Sequence, residues 1–286
     1  MSSKNMLVFS IVVYNEFFWE SITFNSLLSS FSKNKNNEEI NIYIYDNSVR
    51  SQNIDFPEFE NDINIKYFAF NENRGISKAY NHLVNLALKD GFKWIVFLDQ
   101  DTMLSLDFYH KYFDSICELE QSSNKMAVPV VKSKEHILSP FIYINFRSRF
   151  LNEPPSLINL NKHSAINTGI LIECNYFNKI GGYNEKLFLD FCDHDFFDKL
   201  RGFDNTIRVI NTELKQDFST DTNTLHKALI RYSIFYSDLK AYKKDRNRFK
   251  LFFLVDLPHL IRLTLQHRTF KFIIYRLSKA WNCKLI

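Results

Sequence analysis

The sequence predicts an α/β protein with a mostly parallel central sheet, and three observations predict it. Residues 94–98 (Trp-Ile-Val-Phe-Leu) are five apolar positions in a row, the pattern of a strand covered by helices on both faces. Strand-like and helix-like stretches alternate over roughly the first 100 residues. Each strand-like run there stops at a polar cluster: Asn15, then Asp46, then Asn73 and Arg74, then Asp99 and Asp101. Ligands gather at the carboxyl ends of strands in open α/β sheets, so clusters in register line one crevice.

Taken in order, residues 7–14 form the first strand, followed by a helix over about 19–31 with Ile22, Leu27, Leu28 and Phe31 on one face. The polar run 33–39 is a loop. Residues 40–45 and 63–70 are the second and third strands. Ser77 is placed to cap a helix reaching Lys89, with Ala79, Leu83, Leu86 and Ala87 turned inward, and Asp90-Gly91 closes it. After the 94–98 strand come a helix to about Glu120 and a strand over 126–131. Residues 132–163, carrying Pro140, Pro154 and Pro155, read as surface hairpin or loop. Residues 165–173 read as a strand opening on Asn167-Thr168-Gly169, 180–185 as a turn and 193–201 as a short helix. A strand over 206–211 follows, which 214–218 extends. Beyond Leu225 the pattern is helical: 226–246 is amphipathic, and 249–265 and 270–281 mix bulky apolar residues with Arg262, Arg268, Lys271, Arg276 and Lys279.

At 286 residues the chain has room for one or two domains of roughly 150 residues, and its 45% apolar and 24% charged content is that of a soluble globular protein. The net charge of +4 conceals an asymmetry. From Asp221 onward there are 14 Lys/Arg against 4 Asp, a net +10, whereas the preceding 220 residues carry −6. Such a tail segment suits an anionic partner, and cations among aromatic residues on helices suit a membrane surface. Nucleic acid is not indicated, because no recognition motif accompanies the charge. Four cysteines without Cys-x-x-Cys spacing indicate a reducing compartment and exclude a disulfide scaffold or zinc site. The polar N-terminus does not resemble a signal peptide, and no run approaches the ~18 apolar residues of a spanning helix. Neither Gly-x-Gly-x-x-Gly nor Gly-x-x-x-x-Gly-Lys-Ser/Thr occurs, so the common dinucleotide and P-loop modes are absent.

Two carboxylates as close as Asp99 and Asp101 repel unless a cation or proton lies between them. Their hard oxygens suit Mg²⁺ or Mn²⁺ holding a diphosphate, although a solvated strand end also accounts for the pair. Gly75 offers a turn where backbone can approach phosphate. Asp190, Asp193 and Asp195 form a second acidic group at a helix start, which the helix dipole alone favours; the residues themselves do not rank the three.

Six stretches in order resemble family-2 glycosyltransferases with the GT-A fold, most closely the rhamnosyltransferase-like branch of surface polysaccharide synthesis. They are Ser10-Ile11-Val12-Val13-Tyr14-Asn15, Ile44-Tyr45-Asp46-Asn47-Ser48, Asn71-x-Asn73-x-Gly75-Ile76-Ser77, Leu98-Asp99-Gln100-Asp101-Thr102, Asn167-Thr168-Gly169, and Gly181-Gly182-Tyr183-Asn184-Glu185 continuing through Asp190, Asp193 and Asp195. The resemblance covers residues 6–220, and the last 60 match only in general character. It implies a GT-A nucleotide-sugar domain over 1–220 with a basic, aromatic helical extension over 221–286. It also implies inverting transfer of rhamnose or a hexose from a dTDP-sugar or UDP-sugar to a glycan or lipid-linked acceptor of capsule or O-antigen type. The expected location is cytoplasmic, peripheral at the inner face of the cell membrane.

The resemblance further implies roles. Asp193 is the general base that takes the proton of the acceptor hydroxyl. Asp46 faces the base or ribose beside Tyr14 and Asn15; Asn73, Arg74, Ser77, Asp99 and Gln100 surround the donor. Asp101, with Asp99, holds Mg²⁺ or Mn²⁺, which stabilises the leaving diphosphate. One departure stands out: many relatives carry a His after the last sheet strand as a further metal ligand. Here the nearest equivalents are Gln216 and Asp217, with His226 further on; Asp217 is able to ligate, Gln216 only through its weaker carbonyl. Two other expectations compete. A non-catalytic sugar-nucleotide-binding scaffold of the same fold fits the missing His. A haloacid-dehalogenase-like phosphatase shares the strand ending in Asp-x-Asp, but expects Thr or Val where Met103 stands.

Overall fold

The computed structural model describes residues 6–33, 39–50, 57–216 and 224–282. Twelve strands form one mixed sheet: β1 Leu7–Val13, β2 Ile40–Asp46, β3 Ile63–Ala69, β4 Trp94–Asp99, β5 Thr102–Met103, β6 Met126–Ser133, β7 His136–Ile144, β8 Arg147–Leu151, β9 Leu157–Asn159, β10 His163–Ser164, β11 Leu171–Glu173 and β12 Thr206–Gln216. Its main path runs β10-β7-β6-β11-β4-β1-β2-β3, and β3, β2, β1 and β4 are mutually parallel. The helices are α1 Ile22–Lys33, α2 Ile76–Lys89, α3 Phe108–Glu120, α4 Cys174–Ile180, α5 Cys192–Leu200, α6 Leu225–Tyr242, α7 Arg248–Leu251, α8 Leu257–Gln266 and α9 Lys271–Asn282. A π-helical turn, Phe252–Asp256, joins α7 to α8.

β4 explains the layering. Its side chains alternate in direction, so Trp94, Val96 and Leu98 enter one core with Leu27, Phe31 and Tyr112 of α1 and α3. Ile95 and Phe97 enter the other, with Leu83, Phe177 and Phe196 of α2, α4 and α5. A strand wetted on neither face has no use for polar residues until it ends, and the first carboxylate is its last residue, Asp99. Register then levels the strand ends: Val12 lies opposite Asp99 and Val13 opposite Asp46.

Three local expectations change. Ser77 is not a cap: α2 starts at Ile76 behind Gly75, and the buried Ser77 hydroxyl donates to Cys192 Sγ at 3.1 Å. Gly75 takes the preceding position because its φ is +81° and a Cβ there would lie 2.5 Å from the Phe188 carbonyl oxygen. Residues 132–163 are not surface loop. They supply β7 to β10, with Ile137, Phe141 and Tyr143 buried; Pro140, which has no N–H to donate, falls where the β7–β8 register breaks between Ile137 and Ile142. Only Leu171–Glu173 of the 165–173 segment is strand, because Gly169 at φ +81° turns the chain and donates to the Phe97 carbonyl at 2.6 Å. β12, conversely, is one strand that absorbs a bulge between Ile210 and Glu213.

The C-terminal helices share the body's core. Tyr232, Leu239 and Tyr242 of α6, Leu260 and Leu263 of α8 and Phe272 of α9 belong to the same cluster as Ile95 and Phe97. Among the described residues, four of the segment's cations are spent internally. Arg231 pairs with Asp190, Arg246 reaches Asp195 and Asp198, and the fully buried Asp256 binds Arg276 and Lys243. For Asp256, burial opposes ionisation, but the Arg276 and Lys243 bonds outweigh it and hold the carboxyl below its ordinary value.

His259 packs against Phe235 with ring centroids 4.2 Å apart and planes tilted by 42°, and burial, then Arg262, lowers its imidazole from 6.5 to about 4. The unfolded chain therefore binds this proton from about pH 6.5 downward while the folded one refuses it until about 4. Stability contributed at this position is lost as pH falls through that window. A pH series of denaturant midpoints is expected to decline between those values and to decline less in His259→Phe.

Candidate active site

Four loops meet along the carboxyl edge of β1, β2, β3 and β4. Gln100 clamps the end of β1: its Oε1 accepts from Tyr14 N at 2.5 Å and its Nε2 donates to Tyr14 O at 3.3 Å. Asn15 is left-handed, φ 54°, and its N–H donates to Ser48 Oγ at 2.8 Å. Asp46 is buried, accepting from Ser48 N at 2.9 Å and from the Tyr67 hydroxyl at 2.5 Å. Asn47 cross-links the edge, donating through its N–H to Val13 O and accepting from Arg74 N, both at 2.8 Å. Asn73 accepts from Gly75 N at 3.0 Å, fixing the approach to α2, and the Arg74 guanidinium lies 4.0 Å from the Phe70 ring while bonding Glu72.

The acids at the end of β4 are held more tightly. Thr23 shares its hydroxyl between Asp99 O at 2.5 Å and Thr102 O at 2.8 Å, and accepts from Thr102 N at 2.9 Å. Thr168 accepts from Asp99 N at 3.2 Å. Sequence reasoning passed over both threonines; Thr168 at least lay in a matched motif. The Asp99 carboxylate accepts from the buried Tyr80 hydroxyl at 2.9 Å, and Asp101 from Gln216 Nε2 at 2.7 Å. Burial, then the charge of Asp101, pushes Asp99 up to about 6 against the bonds from Tyr80 and Gln216, and the charge of Asp193 adds to the rise. Acids 99, 101 and 193 thus share one electrostatic neighbourhood. Glu16, another residue the sequence did not single out, is raised by burial and then by Asp101.

The structure ranks the acids around α5. Asp190 is gripped by the Arg231 guanidinium, and the buried Asp195 by Arg246 at 2.9 Å and Lys199 at 3.5 Å. Asp193 is half-buried, accepts from His194 N at 2.8 Å, and makes no ion pair among the described residues. Its placement depends on α6. Asp238 accepts from the backbone N–H groups of Phe188, Leu189 and Asp190 at 2.9, 2.8 and 2.8 Å, and the Phe188 carbonyl accepts from Ile76 N at 2.8 Å.

Among the described residues no group of three His, Cys, Asp or Glu could hold a metal. Asp217 lies outside the described residues, His226 is exposed near the start of α6, and Gln216 is the side chain lying against Asp101. The donor set still fits a divalent cation of the Mg²⁺ kind, which takes one or two carboxylates and completes its shell with water and phosphate oxygens. Asp99 is raised by burial and then by Asp101, and a dication between the two acids would oppose both effects.

Backbone turns and the acids Asp99 and Asp101 thus meet at one sheet edge, within reach of the charge of Asp193. The family profile for glycosyl transferase family 2 matches residues 9–181, and the chain belongs to that family. It is 23% identical over 197 residues to the dTDP-rhamnosyl transferase RfbF of Shigella flexneri, covering 67% of this chain and 64% of that one. Among solved structures, that of GalNAc-T7 with UDP, GalNAc and Mn²⁺ superposes with a TM-score of 0.53 at 13% identity, over 76% of this chain and 45% of the other. That of S. aureus TarS gives 0.46 at 14% identity, over 87% and 45%. The fold is GT-A, and the family membership removes the phosphatase reading of the Asp99-x-Asp101 strand end.

Asp238→Ala leaves three backbone donors without their acceptor. A loss of about 1–3 kcal/mol in stability is expected from denaturant unfolding. Asp238→Asn, which keeps one carbonyl acceptor, is expected to lose less.

Proposed function

We propose that the protein is an inverting glycosyltransferase that moves rhamnose or a hexose from a dTDP- or UDP-sugar to a hydroxyl of a glycan or lipid-linked acceptor, in synthesis of a capsule or O-antigen type of polysaccharide. The observation that supports it best is that Asp193, alone of the three acids at the start of α5, has no cation partner among the described residues while its charge reaches Asp99. In this reading the acceptor oxygen attacks the anomeric carbon as Asp193 takes the hydroxyl proton. The bond from that carbon to the diphosphate oxygen breaks on the opposite face, inverting the centre.

The donor lies over the β1, β2 and β4 ends. Tyr14 and Asn15 offer backbone held rigid by Gln100 and Ser48, and Arg74 with Asn73 borders the α2 start. Asp46 shapes this wall through Ser48 and Tyr67, and Ser77 acts through Cys192 on the loop before α5 instead of touching donor. Asp101 and Asp99 would hold Mg²⁺ or Mn²⁺, which when bound supplies positive charge for the departing diphosphate. The UDP and Mn²⁺ of the GalNAc-T7 structure and the dTDP-rhamnosyl activity named for the Shigella relative support this donor class.

No helix among the described residues is long and apolar enough to cross a membrane. Phe249, Leu265 and Phe270 are nonetheless 73%, 71% and 71% exposed, among exposed Arg248, Arg262, Arg268 and Lys271. Apolar bulk beside cations suits the headgroup boundary of an anionic bilayer, which supports a cytoplasmic protein attached peripherally at the inner face of the membrane where lipid-linked acceptors would lie.

Asp193→Asn is expected to reduce transfer at least about 100-fold while UDP- and dTDP-sugar binding with Mn²⁺, read by thermal shift, stays within about twofold. Retained turnover would remove Asp193 from the mechanism, and donor binding without any wild-type turnover would favour a scaffold. In co-sedimentation, phosphatidylglycerol vesicles are expected to retain the wild-type chain and to lose Leu265→Ser/Phe270→Ser. Equal retention of both would count against the membrane surface.

A further inference from the structure

One hollow among the described residues lies away from the strand ends. It has a volume of about 430 Å³, within the ~300–1,000 Å³ of small-molecule sites, and lies behind α5. Tyr143 and Phe146, from β7 and the β7–β8 turn, supply aromatic surface; Asn145, Asn161 and Asn247 supply three planar amides.

Its acid and its guanidinium are matched to each other, while among the described residues the Lys250 ammonium meets only a neutral amide. Asp198 is tied to Arg201 and Arg246, Arg201 also donates to Leu160 O at 2.5 Å, and Lys250 points to Asn145 Oδ1 at 3.5 Å. A phosphate or carboxylate would find no free guanidinium there. Amides, which both donate and accept, and a carboxylate, which accepts, fit vicinal hydroxyls instead, and ring faces fit the C–H surface of a pyranose.

Two features connect this hollow to the chemistry. The Tyr143 ring stacks on His194, the neighbour of Asp193, with centroids 4.0 Å apart and planes at 5°. Burial, then the charges of Asp198 and Asp193 against the Tyr242 hydrogen bond, raises the Tyr143 hydroxyl, so both acids act on the one ring. The wall is also built at a backbone cost. Asn145 and Phe146 have φ of 50° and 62°, the two-residue hairpin turn that ordinarily places glycine second. A phenylalanine there is strained, and such strain gathers where a side chain is needed. Its ring meets Tyr242 edge-on at 6.4 Å and faces the hollow.

We propose that this hollow is the subsite for an uncharged sugar residue of the acceptor, held on the His194 face of α5 by Asn145, Asn161 and Asn247 with Tyr143 and Phe146 as its apolar floor. The inference rests on the transferase reading for its meaning, and its test is independent of turnover. Saturation-transfer difference spectra are recorded on the full chain with the methyl glycosides of glucose, galactose, N-acetylglucosamine and rhamnose. At least one is expected to bind, and its dissociation constant is expected to rise at least tenfold in Asn145→Ala/Asn161→Ala. The thermal shift given by UDP and Mn²⁺ is expected to be unchanged in that variant, which also certifies its folding; Lys250→Ala serves if the double variant does not fold. No glycoside signal from the wild type, or equal affinity in the variant, overturns the subsite. A wild type that binds a glycoside but gives no response to UDP or dTDP contradicts the transferase reading instead.

Discussion

The burial of one acid beside others, at the end of a strand covered on both faces, is the constraint on which the rest of the site turns. Asp99, Asp101 and Asp193 come from two distant parts of the chain; burial first, then the charge of Asp101 and last that of Asp193, raises Asp99 to about 6. Held apart from one another by bulk water they would cost nothing. Asp99, held at the sheet edge by Thr23, Thr168 and Tyr80, resists ionisation because it is buried beside Asp101. In the proposed transferase reading, a dication with its diphosphate would relieve that cost.

The C-terminal helices do the complementary work. Asp190, Asp195, Asp198 and Asp256 would add to the same negative field, and each is instead met by an arginine from α6, from α9 or from the turn after α6. Asp238 then fixes residues 188–190 through their backbone, so the helix bearing Asp193 is positioned by a segment outside the region that the family profile matches. The basic character of this extension thus has two uses. Part of it balances buried acids, and the exposed remainder lies beside apolar residues at the surface.

What the sequence disclosed and what it withheld follow from how local each signal is. β1, β2 and β4 were legible because a strand buried on both faces writes an uninterrupted apolar run, and the polar residue that ends it is next in the chain. The equivalence of Asp190, Asp193 and Asp195 could not be broken from sequence, because Arg231 and Arg246 lie 41 and 51 residues away from the acids they neutralise. Ser77 resembled a cap by residue type, but the close approach of Phe188 required glycine one step earlier. β7 to β10 were hidden by prolines and by strands of two or three residues, too short for a period to register. Gln216 was legible as a candidate, but its contact with Asp101 needed the pairing of β12 with β5.

The account is tested most directly by a crystal structure of the protein with UDP and Mn²⁺. It predicts the cation against Asp99 and Asp101, the diphosphate over the ends of β1 and β4, and the Asp193 carboxylate facing the vacant sugar position without a cation of its own. Nucleotide bound away from these strand ends, or Asp193 drawn into an ion pair, would contradict it.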